Sequence, residues 1–125
     1  SMPRTPTERV LWAAVSLGAG VGEEISYRGV FTSLLARILP LEVAVSIAVV
    51  AFTVAHAGRG WRDLTVIGVI AILMHGLVLW TGSLYLAMAV HFGSDLAAGL
   101  TYGRLGDKYG YPAEPLPPPE PAATA

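Results

Sequence analysis

Glu23 and Glu24 stand side by side within an apolar stretch running from Trp12 to Leu39, and Arg28 follows one helical turn later. A charged side chain at the centre of a hydrocarbon layer costs about 2.5–3.5 kcal/mol on insertion scales. Two adjacent carboxylates and an arginine are tolerated there either as an ion network between helices or as a site of chemistry. Two further polar clusters interrupt later apolar stretches: His56, four residues after Phe52, and His91 with Asp95. Together they point to an active site at membrane depth.

The chain has 125 residues, enough for one compact domain. It is 54% hydrophobic and 14% charged, against about 25% charged in an average soluble domain. Its mean hydropathy is +0.58, the balance of a membrane protein. A net charge of −1 creates no field directed at nucleic acid. The absence of cysteine excludes disulfides, thiolate catalysis and cysteine-ligated zinc. The first apolar stretch outruns a signal-peptide core and carries the acidic pair, so it reads as a span rather than a cleaved leader. Ser1 is read as a cloning remnant.

The expected fold class is all-α: an integral membrane helical bundle of about four transmembrane helices. Residues 1–8 form a polar leader, 9–105 the core, and 106–125 a Pro-rich, disordered tail. The first helix is expected over about 9–39, closed by Pro40. At 1.5 Å per residue it would reach about 45 Å, beyond the roughly 30 Å hydrocarbon core. A break or close packing is therefore expected near Gly18, Gly20 and Gly22. Residues 41–57 could be a buried strand, but their length without a turn signal favours a helix. Spans over 63–80 and 83–102 complete the set. Four spans place both termini on one side, with six basic residues (Arg4, Arg9, Arg59, Arg62, Arg104 and Lys108) against Arg37 alone on the other. The positive-inside rule makes that side cytoplasmic, and Trp12, Trp61 and Trp80 fit interfacial belts. Abundant Ala, Gly, Val, Arg and Pro suggest a GC-rich bacterial origin and hence the inner membrane.

Within the first cluster, Glu24 and Arg28 are spaced i, i+4 and can pair, whereas Glu23 lies about 100° around the helix, free for chemistry. His56 could act with a glutamate to hold and deprotonate water. His91 and Asp95 are again i, i+4, so Asp95 can orient the ring while its other nitrogen faces a substrate carbonyl. His75 reads as a packed or water-facing histidine. Glutamate, histidine and aspartate could also hold zinc, but the HExxH spacing of zinc proteases is missing. Neither a GxSG serine site nor a GxGD aspartate motif is present.

These motifs resemble the CAAX protease and bacteriocin-processing (CPBP, or Abi) family, the type II CAAX prenyl endopeptidase group of intramembrane glutamic proteases. Its pattern EExxxR, FxxxH, HxxxN or HxxxD reads here as Glu23-Glu24-Ile25-Ser26-Tyr27-Arg28, Phe52 to His56, and His91 to Asp95. The resemblance covers roughly residues 18–100 and implies an all-helical fold with its site in a membrane cavity. It implies that Glu23 and His56 activate water, that His91 and Asp95 form the oxyanion site, and that Glu24 and Arg28, with Phe52, support the geometry. It implies no cofactor and no metal, zinc being the alternative. Asp95 stands where asparagine is commoner, and Tyr27 where phenylalanine is usual. Family members usually carry further spans before the first motif.

The expected function is that of an intramembrane endopeptidase acting on a membrane-associated protein or peptide, with membrane lipid as its other partner and no nucleic acid. The alternatives are an inactive scaffold or bacteriocin-immunity protein that keeps the fold, and a small proton or ion pathway, since buried Glu, His and Asp also build relays. Nothing in the sequence selects a substrate, a prenyl group or an oligomeric state.

Overall fold

A computed structural model describes residues 3–109, and these are entirely helical, with no strand among them. Helix α1 (Pro6–Glu23) starts earlier than expected because its cap is complete. The Thr5 hydroxyl accepts the Glu8 N–H at 3.2 Å, and the Glu8 carboxylate accepts the Thr5 N–H at 2.8 Å and the Arg4 N–H at 2.7 Å. This is a capping box with proline at the first position, where its missing N–H costs nothing. Those two backbone donors, Thr5 foremost, hold the Glu8 carboxyl below the ordinary carboxylate range.

The helix does not break at its glycines. It continues as a π-helical segment, Glu24–Phe31, and then as α2, Thr32–Leu35. The buried residues of this rod are Ser16, Gly20, Glu24, Arg28 and Thr32, one every fourth position. In an α-helix of 3.6 residues per turn, a four-residue stripe drifts about 40° per step around the axis. The i→i+5 bonding of a π-helix winds a wider turn and reverses that drift. The π segment thus keeps Glu24, Arg28 and Thr32 on the inner face.

Helix α3 spans Leu41–Val54, so 41–57 is helical as expected but ends sooner, in the 3₁₀ turn Ala57–Arg59. Helix α4 spans Trp61–Thr81 and is closed by Gly82 in the left-handed conformation. Helix α5 spans Leu84–Tyr109. It runs past 102 and enters the segment assigned to the tail, because no proline interrupts it before Pro112. The remainder of the Pro-rich tail lies outside the described residues. The short connections make neighbouring helices antiparallel; α1 packs chiefly on α5, and α3 on α4.

The expected close packing at the glycines occurs at Gly20 rather than as a kink. A Cβ there would lie 2.9 Å from the Phe92 backbone nitrogen, while Gly18 and Gly22 have nothing within 4 Å. The Trp12 indole lies directly on Gly99 and donates to the Asp95 carbonyl at 3.0 Å. Trp12 is therefore a half-buried interhelical contact, not the belt residue expected. Gly20→Ala should pry α1 from α5 and cost roughly 1–3 kcal/mol, as overpacking does. Gly18→Ala and Gly22→Ala should be neutral or slightly stabilising, since alanine is the better helix former. Thermal unfolding of the three variants in one detergent checks the contrast; equal midpoints would show that the α1–α5 approach is not close.

The interior is small and polar, and the exterior apolar. The buried hydrophobic residues are Ala44, Ala48, Phe52, Ala71, Met74 and Ala87, alongside buried Ser16, Glu24, Arg28, Thr32, His75 and His91. Large apolar side chains point outward on every helix, for example Val15, Leu34, Val50, Leu73 and Leu86. Helix α4, with 21 residues, is about 32 Å long and is the one described helix both long and apolar enough to cross a membrane; α3 is apolar but shorter.

Candidate active site

The π segment, α3, α4 and α5 bring most of the singled-out residues together. The Glu24 side chain is fully buried, and its Oε1 accepts from His91 Nδ1 at 2.8 Å. Arg28 Nη1 lies 3.3 Å from the same oxygen, forming the i, i+4 pair expected from the spacing. That contact has ion-pair distance without hydrogen-bond alignment, and among the described residues Arg28 Nη1 and Nε and Glu24 Oε2 have no hydrogen-bond partner. Arg28 Nη2 donates, at a long 3.5 Å, to the Ala71 carbonyl of α4. Its guanidinium carbon lies 4.4 Å from the centroid of the Phe52 ring, a cation–π contact strengthened by burial.

Because Glu24 takes His91 Nδ1, the other ring nitrogen faces out of the bundle. His91 Nε2 is 3.6 Å from Asp95 Oδ2 and 3.8 Å from Glu23 Oε2. The Glu23 side chain is 33% exposed, against 0% for Glu24. The two neighbouring glutamates are thus separated, one locked inside and one at the rim. Asp95 shares a face with His91 as expected, but the residue within hydrogen-bond distance of the ring is Glu24. One imidazole stands within 4.0 Å of three carboxylates. A ring in that setting that carries both hydrogens would offer Nε2–H to an oxygen between Glu23 and Asp95.

His56 lies to one side. Its Nδ1 is 2.8 Å from the Phe52 carbonyl, which can only accept, so that nitrogen carries the hydrogen. Its ring is 4.7 Å from the Phe52 ring, which in turn is 6.5 Å from His91. Neither His56 nitrogen is within 4.0 Å of a carboxylate oxygen among the described residues. For the zinc alternative, no group of three or more His, Asp or Glu side chains among the described residues is arranged to hold a metal ion.

Phe52 is the hub of this arrangement. It touches Arg28, His56, His91 and Tyr27, the last ring edge-on at 5.0 Å. Tyr27, with Ser26, Phe31 and Ala51, lines an open cavity of about 500 Å³ between the π segment and α3. His75 is buried rather than water-facing, with Nδ1 3.0 Å from the Ala71 carbonyl and Nε2 3.2 Å from the Thr32 hydroxyl. Sequence reasoning missed the Glu24–His91 and Thr32–His75 contacts. A signal for both was present in the four-residue repeat Ser16, Gly20, Glu24, Arg28, Thr32.

Residues 5–97 match the protein family described as type II CAAX prenyl endopeptidase Rce1-like. Searches of curated proteins and of solved structures return no match.

Proposed function

The chain belongs to the Rce1-like type II CAAX prenyl endopeptidase family, a family of membrane proteases, and from that premise we propose that it is an intramembrane glutamic endopeptidase whose bundle of about four helices lies in the bilayer. The inside-out distribution of side chains supports the location. Apolar residues cover the surface while alanines and charges fill the interior, as expected where lipid is the solvent and small residues line helix contacts. Trp61 and Trp80, both exposed, bracket α4 about 28 Å apart at 1.5 Å per residue, close to the hydrocarbon thickness. The basic asymmetry supports a cytoplasmic side for both termini, and the Ala, Gly, Val, Arg and Pro usage supports a bacterial inner membrane.

The observation that carries the chemistry is the division between Glu23 and Glu24 around His91. Glu24 orients His91 from inside, and Arg28 balances its charge. Glu23, at the rim, takes a proton from a water whose oxygen attacks the scissile carbonyl carbon. His91 Nε2–H donates to the carbonyl oxygen as that atom gains negative charge, the role of an oxyanion donor. Glu23 then passes the proton to the departing amine nitrogen as the C–N bond breaks. His56 packs on the Phe52 ring, which also borders His91, and supports the site through that ring. Asp95, a carboxylate where a donor amide is commoner, steers His91. The cavity lined by Ser26, Tyr27, Phe31 and Ala51, joined to the site through the Tyr27–Phe52 ring contact, is the proposed place for a membrane-associated peptide.

Two measurements test the reading. Alkaline carbonate should leave the protein in the membrane fraction; release would remove the intramembrane location. Profiling of protein termini in membranes of cells expressing the wild type should reveal new cleavage sites that are missing with Glu23→Gln. Identical sets of termini would count against a protease and return the chain to its scaffold reading.

A further inference from the structure

Thr32 and His75 are buried, polar and unused by the proposed chemistry, yet they sit at the junction between the π segment and α4. The backbone N–H of Thr32 bonds to the Tyr27 carbonyl, the i→i+5 bond that ends the π segment. The Thr32 hydroxyl is 2.6 Å from that same carbonyl and 3.2 Å from His75 Nε2. Across the interface, His75 Nδ1 lies 3.0 Å from the Ala71 carbonyl, so this nitrogen carries hydrogen. The same carbonyl accepts from Arg28 Nη2. The contacts form one line: Tyr27 carbonyl, Thr32, His75, Ala71 carbonyl, Arg28, Glu24, His91.

Each link has a consequence. In neutral His75 the Nδ1–H bond leaves Nε2 as a bare acceptor facing the Thr32 hydroxyl. The Tyr27 carbonyl has two lone pairs and accepts both the Thr32 amide and, at 2.6 Å, the Thr32 hydroxyl, with His75 Nε2 at 3.2 Å as the second acceptor in reach of the same hydroxyl proton. The pair therefore fixes where the π segment stops winding, and with it the rotation of Arg28 and Glu24 about the helix axis. The second tie, at Ala71, sets the depth of the Arg28 guanidinium. We infer that Thr32 and His75 are positioning residues for the active site: they hold the π register that places Glu24 against His91 and leaves Glu23 at the rim. This rests on the proteolytic reading for its kinetic consequence, though not for its structural one.

The test uses the full chain in lipid nanodiscs with ¹⁵N-labelled histidine. Thr32→Val keeps the shape and removes the hydroxyl, and Thr32→Ser restores it. Misplacing catalytic groups by about 1 Å can cost about 100-fold, so Thr32→Val should lower kcat by about 10- to 100-fold with KM little changed, and Thr32→Ser should recover most of it. In parallel, the His91 Nδ1–H signal of the Glu24 bond should shift or broaden in Thr32→Val and stay in place in Thr32→Ser. His75→Asn, too short to reach Thr32, should repeat the Thr32→Val behaviour from the other side. Loss of folded yield with wild-type kcat in the folded fraction would overturn positioning and leave packing alone. An unmoved His91 signal in both Thr32→Val and His75→Asn would overturn it outright. If the wild type cleaves nothing, the protease reading fails, and the His91 spectra still decide whether the pair holds the site.

Discussion

Glu23→Gln is expected to fold at the wild-type yield and to lower turnover by about 100-fold or more, the range for removing a general base. Glutamine keeps the shape of the side chain at the rim, and among the described residues no hydrogen bond to the Glu23 side chain would be lost. Its nearest polar contact is His91 Nε2 at 3.8 Å. The substitution therefore removes the proton acceptor and little else. His56→Ala should lower turnover less than Glu23→Gln, because His56 meets the site only through the Phe52 ring. Kinetics on purified protein, normalised to the folded fraction, decide this. Full cleavage by Glu23→Gln together with a folded but inactive Glu24→Gln would exchange the roles of the two glutamates. Normal cleavage by both would end the glutamic mechanism for this chain.

Glu24→Gln and Arg28→Gln are expected to fail differently, by loss of folded protein. Each leaves a buried charge without its counter-ion: Arg28 in the first case, Glu24 in the second, with side chains 1% and 0% exposed. Breaking a buried pair by removing one partner costs about 3–5 kcal/mol, a large share of a typical stability of about 5–15 kcal/mol. Glu24→Gln also weakens the bond that orients His91. Joint replacement of both charges should restore part of the yield, since no lone charge then remains. Gel-filtration yield and thermal midpoint of the three variants provide the check. If the single variants remain as stable as the wild type, the pair is not buried as described.

What could be read from the sequence was what repeats along one helix. The Glu24–Arg28 and His91–Asp95 contacts follow from four-residue spacing, and both occur in the fold. The helical nature of 41–57 followed from its length. What escaped was what one helix does to another. Glu24 and His91 are far apart in sequence, and their contact depends on a π turn that periodicity at 3.6 residues cannot anticipate. His75 looked solitary because its partner, Thr32, lies on a different element. Trp12 looked interfacial because aromatic residues near span ends often are; the bare backbone of Gly99 offered it an interior surface instead. The span expected over 83–102 falls short of α5, which continues to Tyr109 because proline, the strongest helix breaker, comes only at Pro112.

The π segment makes this protein sensitive to length where it is tolerant of composition. Val30, Ile25 and Leu34 face outward and could be exchanged for other apolar residues. Losing any one residue between Glu24 and Phe31 is another matter. The stretch could then close with ordinary i→i+4 bonds, the wide turn that keeps Glu24, Arg28 and Thr32 on one face would be gone, and their four-residue spacing would be broken. Ser16, Gly20 and Glu24 could no longer face α5 while Arg28 and Thr32 faced α3 and α4. The extra residue held in that wide turn works like the offset between two gears: it carries no chemistry, and without it the two halves of the site would not mesh.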